Sequence, residues 1–195
     1  MSVVVVPTGT ANLASVLASL RRTGADPTLA NAPEQVERAD RVVVPGVGTF
    51  GAAVSALESA GLGEPVARRI ADGRPTLAVC VGMQILATGS DESPGNGLGV
   101  VDARVRRLDG EVRIPQLGWN RVEPQPGARL VTPGWAYFAN SYRLDTVPPG
   151  WVGATSDHGG PFVAAMERGG VLACQFHPEL SGSWGLALLE RWLAA

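Results

Sequence analysis

The sequence predicts an α/β fold with a mostly parallel central sheet, flanking helices and an added antiparallel β region. In the first half of the chain, short apolar runs alternate with helix-like segments, which is typical of β-α-β units whose buried parallel strands are covered by helices. In the second half, short alternating runs are separated by Pro and Gly, which indicates hairpins and antiparallel strands. No linker is long enough to divide the chain, so we expect a single domain over residues 1–195.

The elements of the first half follow from hydrophobic periodicity. A buried strand is expected at residues 3–6, and a helix at 12–23 carries its apolar side chains on one face. Gly24 is placed to end this helix as a C-terminal glycine. The other expected elements are strands at 26–30, 41–44 and 76–80, with one or two helices covering 54–57 and 66–70.

The elements of the second half are shorter. Alternating runs at 103–108, 136–138 and 162–166 predict antiparallel strands, and the apolar run at 170–174 predicts a strand that leads to His177. Helical periodicity returns only at 183–193.

Composition excludes several classes of protein. No apolar run approaches the roughly 20 residues of a membrane span, and residues 1–6 read as a first strand because they lack the basic leader of a signal peptide. The net charge of −2 and the absence of a basic tract argue against nucleic acid as a partner. A disulfide between the two distant cysteines would consume the thiol discussed next, so we expect a reducing, cytoplasmic location.

Residues 76–86, TLAVCVGMQIL, form the most informative segment. An apolar strand stops at Cys80, and Gly82 opens a segment with helical character, which is the strand, sharp turn and helix of a nucleophile elbow with a thiol in the usual place of serine. The small residues Ala78 and Gly82 allow close packing around such a turn. The positive end of the helix would favour the reactive thiolate. A buried structural cysteine is the alternative.

A second segment, QFHPE at 175–179, supplies a base and a carboxylate. Pro178 disfavours helix at His177, so we expect an extended triplet in which His177 and Glu179 point to the same side. A base oriented by a third group is the arrangement of nucleophilic catalysis. Cys80, His177 and Glu179 are therefore the predicted catalytic residues, whereas each of the last two alone could be an ordinary strand-end residue.

These residues resemble those of the class I glutamine amidotransferases, and the similarity extends over nearly the whole chain. Within that class the chain is most similar to the glutaminase subunits of imidazole glycerol phosphate synthase. Four stretches carry this finer resemblance: PGVGTFG at 45–51, PQLGWN at 115–120, YFANSY at 137–142 and GGPFVAA at 159–165.

The resemblance implies a class I glutamine amidotransferase-like fold and the hydrolysis of glutamine to glutamate and ammonia through a Cys80 thioester. It also implies a TIM-barrel cyclase subunit as partner in a heterodimer, which uses the ammonia in histidine biosynthesis. No cofactor and no metal are expected. The implied oxyanion-hole residues are Val47, Gly48 and Val81, for which an ordinary glycine turn at 46–48 is the alternative.

By the same resemblance, glutamine is held by Gly48, Gln84, Glu92, Ser141 and Tyr142. Gln84 lies one helical turn beyond Cys80 and so can reach the same side. Glu92 could bind the substrate ammonium or could belong to a solvated loop. Ser141 and Tyr142 could donate to or position the substrate carboxylate, or they could lie on a strand with an outward hydroxyl.

The expected partner-facing residues are Asn12, Trp119, Asn120, Tyr137 and Leu180. Aromatic side chains are favoured at the centres of interfaces, although Trp119 could instead fill the core.

The chain departs from the subfamily pattern at several positions. Leu180 stands where lysine commonly follows the His-Pro-Glu triplet, and Gln116 and Asn140 stand where histidine is common. None of these departures touches the predicted catalytic residues, so they bear on the partner contact more than on the reaction. Three alternatives stay open: the glutaminase subunit of pyridoxal phosphate synthase, a catalytically silent binding subunit, and a cysteine peptidase on a similar sheet.

Overall fold

The computed structural model describes residues 1–9 and 12–195. The strands are, in chain order, β1 Val3–Val5, β2 Pro27–Leu29, β3 Arg41–Gly46, β4 Thr76–Cys80, β5 Gly89–Ser90, β6 Arg104–Arg107, β7 Gln116–Pro124, β8 Gly134–Asn140, β9 Tyr142–Arg143, β10 Val152–Asp157, β11 Pro161–Arg168 and β12 Val171–Cys174. The helices are α1 Leu13–Arg22, α2 Pro33–Arg38, α3 Phe50–Ser59, α4 Gly63–Ala71, α5 Val81–Gln84 and α6 Gly182–Ala194, and a 3₁₀ turn spans Pro178–Leu180.

Within the described residues, nine strands form one sheet in the order β2-β1-β3-β4-β12-β11-β10-β7-β8. The strands from β2 to β12 pair in parallel, and the strands from β12 to β8 pair antiparallel. A small separate sheet joins β5, β6 and β9. The predicted α/β class is confirmed, and the antiparallel region continues the central sheet instead of packing on it.

The helices lie where right-handed crossovers place them. The chain runs from β1 to β2 in one direction along the sheet and from β2 through β3 to β4 in the other, so right-handed connections put α1 on one face and α2 to α4 on the opposite face. The contacts agree with this assignment, because α1 touches α6, whereas α4 touches both α2 and α3.

Most predicted elements are present with shifted ends. The first predicted helix begins at Leu13 with Asn12 as its N-cap, and Gly24, with a φ of 83°, follows the C-cap residue Thr23 as predicted. The strand predicted to end at Val44 continues to Gly46, and α3 and α4 are two separate helices. Thr76–Cys80 has the predicted bounds. No helix in the described residues has both the length and the apolar character that a membrane crossing requires.

The carboxyl ends of the parallel strands bring the predicted site together. Gly46 at the end of β3 lies opposite Cys80 at the end of β4, and Cys174 at the end of β12 lies opposite Val79. Ligands of open α/β sheets bind beyond these strand ends. The loop after β3, the elbow after β4 and the QFHPE segment after β12 therefore meet at one edge.

Candidate active site

Cys80 lies at a strained turn between β4 and α5. Its φ of 53° and ψ of −111° make it the one non-glycine residue among 1–9 and 12–195 with a positive φ. Such a backbone conformation costs about 1–3 kcal/mol and is concentrated at functional sites. The predicted nucleophile-elbow geometry is thus observed, and the strain distinguishes Cys80 from an ordinary buried cysteine.

Gly82 allows the elbow to press against β3. A Cβ atom at this position would lie 2.0 Å from the Val44 carbonyl oxygen, and one at Gly46 would lie 2.7 Å from the Gly82 nitrogen. Both positions need glycine because backbone occupies the space of a side chain. The helix after the elbow has only four residues, Val81–Gln84, so the helix dipole contributes less than the sequence suggested.

His177 and Glu179 are in direct contact, but the backbone between them differs from the prediction. His177 is extended, as the following proline requires, whereas Pro178–Leu180 forms a 3₁₀ turn. The extended triplet was therefore wrong, because the fixed φ of proline suits the first position of a helical turn equally well. The turn still brings Glu179 Oε1 to 2.8 Å from His177 Nδ1, with both side chains buried.

The charge state of His177 follows from its neighbours. Burial alone lowers the pKa of His177, but hydrogen bonds to the Cys80 side chain and to Glu179, together with their negative charges, raise the pKa to about 10. An imidazole in this environment holds its proton at neutral pH when the thiol is ionised. The arrangement therefore favours the imidazolium form of His177.

A cavity of about 200 Å³ opens over the elbow. It is lined by Val47, Gly48, Cys80, Val81, Gln84, Glu92, Pro115, Ala139, Asn140, Ser141, Tyr142 and His177. Every residue predicted for the oxyanion hole and for substrate binding is in this set, as are two of the three predicted catalytic residues. Glu179 lies behind His177. The predicted residues therefore surround one cavity, although their separate roles stay predictions.

Hydrogen bonds orient two of the cavity residues. The Gln84 Nε2 atom donates to the Tyr142 carbonyl oxygen at 3.1 Å and to Gln175 Oε1 at 2.9 Å. The Glu92 carboxylate accepts a bond from the Phe50 backbone N–H at 2.6 Å, so it is anchored to the start of α3 and is not a freely solvated loop residue.

Gln175 is a residue that the sequence analysis did not assign. Its side chain is fully buried, and its Nε2 lies 3.5 Å from Cys80 Sγ. The signal was present in the sequence, because Gln175 precedes His177 by two positions and alternate residues of an extended segment share a side.

Ser181 also contacts the catalytic segment. Its buried hydroxyl donates to the His177 carbonyl oxygen at 2.6 Å and accepts from the Tyr137 N–H at 2.9 Å. Because the His177 N–H also donates to the Tyr137 carbonyl oxygen at 2.9 Å, strand β8 holds the catalytic segment at two points.

The β7–β8 hairpin presents an exposed apolar face beside the site. Trp119 is 53% exposed, so the alternative in which it fills the core is wrong. Its ring meets the Tyr137 ring edge-on at 6.3 Å between centroids, and these two residues pair directly across the hairpin. Leu117 and Trp135 are also exposed. We call this set, Leu117, Trp119, Trp135 and Tyr137, the hairpin face.

The other predicted partner-facing residues have different surroundings. Leu180 is 42% exposed on the 3₁₀ turn next to Glu179. Asn120 donates from Nδ2 to the Asp157 carbonyl oxygen at 2.6 Å, and the exposed Asn12 accepts from the Ser15 N–H as the cap of α1. Both asparagines thus have local structural roles, and their contact with a partner stays a prediction.

Comparisons with known proteins agree with this geometry. The profile of the glutamine amidotransferase class-I family matches residues 4–194. Imidazole glycerol phosphate synthase subunit HisH of Symbiobacterium thermophilum is 42% identical over 195 residues, which cover 97% of this chain and 92% of that protein. The same subunit of Nostoc punctiforme is 38% identical over 191 residues, which cover 94% of this chain and 90% of that protein.

A solved structure described as a crystal structure of glutamine amidotransferase has the same fold, with a TM-score of 0.78 at 22% identity, and the match covers 98% of this chain and 97% of that one. The chain is therefore a glutamine amidotransferase of the class-I family, and within it belongs to the family of the HisH subunits of imidazole glycerol phosphate synthase.

Proposed function

We propose that this chain, as one amidotransferase domain over residues 1–195, is the cytoplasmic glutaminase subunit of an imidazole glycerol phosphate synthase. It hydrolyses glutamine and delivers the ammonia to a TIM-barrel cyclase subunit for histidine biosynthesis. The observation that carries the proposal is the contact of Cys80, His177 and Glu179 beside the cavity. The names of the HisH relatives support the choice of synthase.

In the proposed reaction, the Cys80 thiolate attacks the side-chain amide carbon of glutamine. The resulting tetrahedral oxyanion collapses to a thioester as His177 gives its proton to the nitrogen, which leaves as ammonia. His177 then takes a proton from water, and the hydroxide attacks the thioester. Collapse of the second tetrahedral intermediate releases glutamate and returns the thiolate. Glu179 holds the imidazole ring and stabilises its charged form.

Backbone N–H groups are the proposed donors to the oxyanion. The Val81 N–H follows the nucleophile directly, and the loop with Val47 and Gly48 lines the same cavity. A donor of this kind contributes about 10²–10³ in rate. Gly48 has a φ of 91°, so a side chain there would strain the loop that presents these donors.

The amino-acid end of glutamine is proposed to meet polar groups on the other walls. Both N–H bonds of the Gln84 amide are engaged within the protein, so its oxygen is the atom that can accept from the substrate ammonium. The Glu92 carboxylate adds negative charge for the same group. Ser141 and Tyr142, on the wall formed after β8, can donate to the substrate carboxylate.

The hairpin face is the proposed docking surface for the cyclase, together with Leu180, Asn120 and Asn12. Exposed aromatic residues next to a catalytic cavity are unusual on a free surface and frequent at the centres of interfaces. The backbone of Tyr137 bonds to His177, so a partner on this face would contact the strand that holds the base.

The test of the function is a coupled assay with purified cyclase. Glutamate formation should be sensitive to iodoacetamide and should increase when the cyclase and its nucleotide ligand are added. A full rate from the isolated chain, unchanged by the cyclase, would contradict the coupling. Hydrolysis of peptide amides in preference to free glutamine would instead support a peptidase.

Trp119→Ala is expected to weaken the heterodimer about 30-fold or more, because truncation of a central interface aromatic costs about 2 kcal/mol or more. Isothermal titration of the chain with the cyclase measures the Kd. Leu29→Ala is the matched control, since Leu29 is another exposed apolar residue but lies on β2 at the opposite edge of the sheet. Equal Kd values for both variants would exclude the hairpin face as the docking surface.

A further inference from the structure

Gln175 links the nucleophile to the substrate side of the cavity through buried amide groups. Its Nε2 lies 3.5 Å from Cys80 Sγ, and its Oε1 accepts from Gln84 Nε2 at 2.9 Å. Gln175 is fully buried, Gln84 is nearly so, and Gln84 lines the cavity. Gln84, Gln175 and Cys80 therefore form a continuous chain of side-chain contacts from the cavity wall to the sulfur atom.

The direction of these hydrogen bonds is fixed by a backbone carbonyl group. The Tyr142 carbonyl oxygen can only accept, so the Gln84 atom facing it at 3.1 Å must be the amide nitrogen. That nitrogen also donates to Gln175, whose facing atom must therefore be its oxygen. The remaining group of Gln175, its NH₂, is left to point at the sulfur.

We infer that Gln175 is a further catalytic residue, a hydrogen-bond donor that stabilises the Cys80 thiolate and ties it to the substrate-binding Gln84. The inference rests on the proposed function only in taking Cys80 as the nucleophile. Hydrogen bonds from a neutral amide to an anion are stronger than those between neutral groups. The Gln175 amide therefore stabilises the charged thiolate more than it would stabilise a neutral thiol.

The Gln175 amide complements the His177 imidazole because the amide never gives up a proton. His177 gives up a proton during acylation and takes another from water during deacylation, so its charge changes through the cycle. Gln175 keeps both N–H bonds throughout. When the second tetrahedral intermediate collapses and the C–S bond breaks, the electron pair returns to a sulfur that already has a fixed donor.

The test is the pH dependence of alkylation of the isolated chain by iodoacetamide, which reacts with the thiolate. Gln175→Met keeps the length of the side chain but removes the donor. The acidic midpoint of the alkylation profile should rise by about one pH unit, and the kcat of cyclase-stimulated glutamine hydrolysis should fall about tenfold. Burial raises the pKa of the other thiol, Cys174, well above its usual range, and Cys80→Ala gives the background rate.

Gln116→Met is the matched control. Gln116 is also buried, and neither atom of its amide group has a hydrogen-bond partner among the described residues. This control should leave the alkylation midpoint unchanged. Gln175→Asn, which keeps the amide but withdraws it by one methylene, should give a shift of the same sign, and it decides the question if Gln175→Met does not fold.

An unchanged midpoint in a folded Gln175 variant would overturn the inference. So would a loss of rate at every pH with the same midpoint, because that result describes a structural role. These outcomes are distinct from failure of the proposed function, in which the wild-type chain itself lacks glutaminase activity with the cyclase present.

Discussion

Replacement of Cys80 by alanine is expected to lower glutamine hydrolysis by about 10⁴-fold or more, because removal of a nucleophile leaves only the contributions of binding and of the oxyanion donors. The fold should persist, since the small side chain fits the strained turn at least as well as cysteine. The measurement is glutamate formation by the chain with saturating cyclase. Synthase activity with added ammonium salt should be retained, because that assay bypasses the glutaminase.

Cys174→Ala is the control for this experiment. Cys174 is the other free thiol, is fully buried, and lies on β12, next to the elbow strand. We expect its glutaminase rate to stay within about threefold of the wild type, because the substitution removes only one buried sulfur atom, which takes no part in the proposed reaction. Equal losses in the two variants would mean that Cys80 acts through packing and not as the nucleophile.

Glu179→Gln is expected to lower kcat by about 10²-fold or more, since a positioned acid and base contributes about 10²–10⁴ in rate. The amide can still contact the ring but no longer supplies a negative charge. Although burial lowers the pKa of His177, Cys80 and Glu179 raise it to about 10. Loss of the carboxylate removes part of this increase, so the pKa of His177 falls.

The pH dependence of kcat should change with the pKa of His177. In the wild type, the pKa of His177 is about 10. The imidazole is protonated below this pH and loses its proton as the pH rises above it. The alkaline limb of the kcat profile should therefore move to lower pH in Glu179→Gln. Glu190→Gln, at an exposed carboxylate on α6, should leave the rate and the limb in place. A lower rate with an unmoved limb would assign Glu179 a purely structural role.

The remaining alternatives differ in what these experiments would show. A silent binding subunit would keep its affinity for the cyclase and show no loss of activity in Cys80→Ala, since there would be none to lose. A glutaminase of pyridoxal phosphate synthase would not respond to the cyclase. The chain is 42% and 38% identical in sequence to two HisH subunits over nearly their full length, and this similarity supports neither of these two alternatives.

Two parts of the fold could not be predicted because tertiary contacts decide them. Helix α2 has a single buried apolar residue, Val36, and no amphipathic repeat. Its end is held by the buried Arg69 of α4, whose guanidinium donates to the Val36 and Ala39 carbonyl oxygens. The 3₁₀ turn after His177 also depends on a tertiary contact. The hydroxyl of Ser181, which ends the turn, donates to the His177 carbonyl oxygen and accepts from the Tyr137 N–H on β8.

The amino-acid sequence by itself determined the fold class and the elbow at Cys80, because strand periodicity, glycine positions and short motifs are local properties. The resemblance to the class I glutamine amidotransferases added the predicted oxyanion-hole and substrate-binding residues, which line the cavity. Only the tertiary structure decided that Trp119 is exposed, that Gln175 reaches the sulfur, and that Glu179 approaches His177 through a helical turn. Each of these depends on which distant strands become neighbours, and the free energy of that choice is distributed over the whole sheet and core.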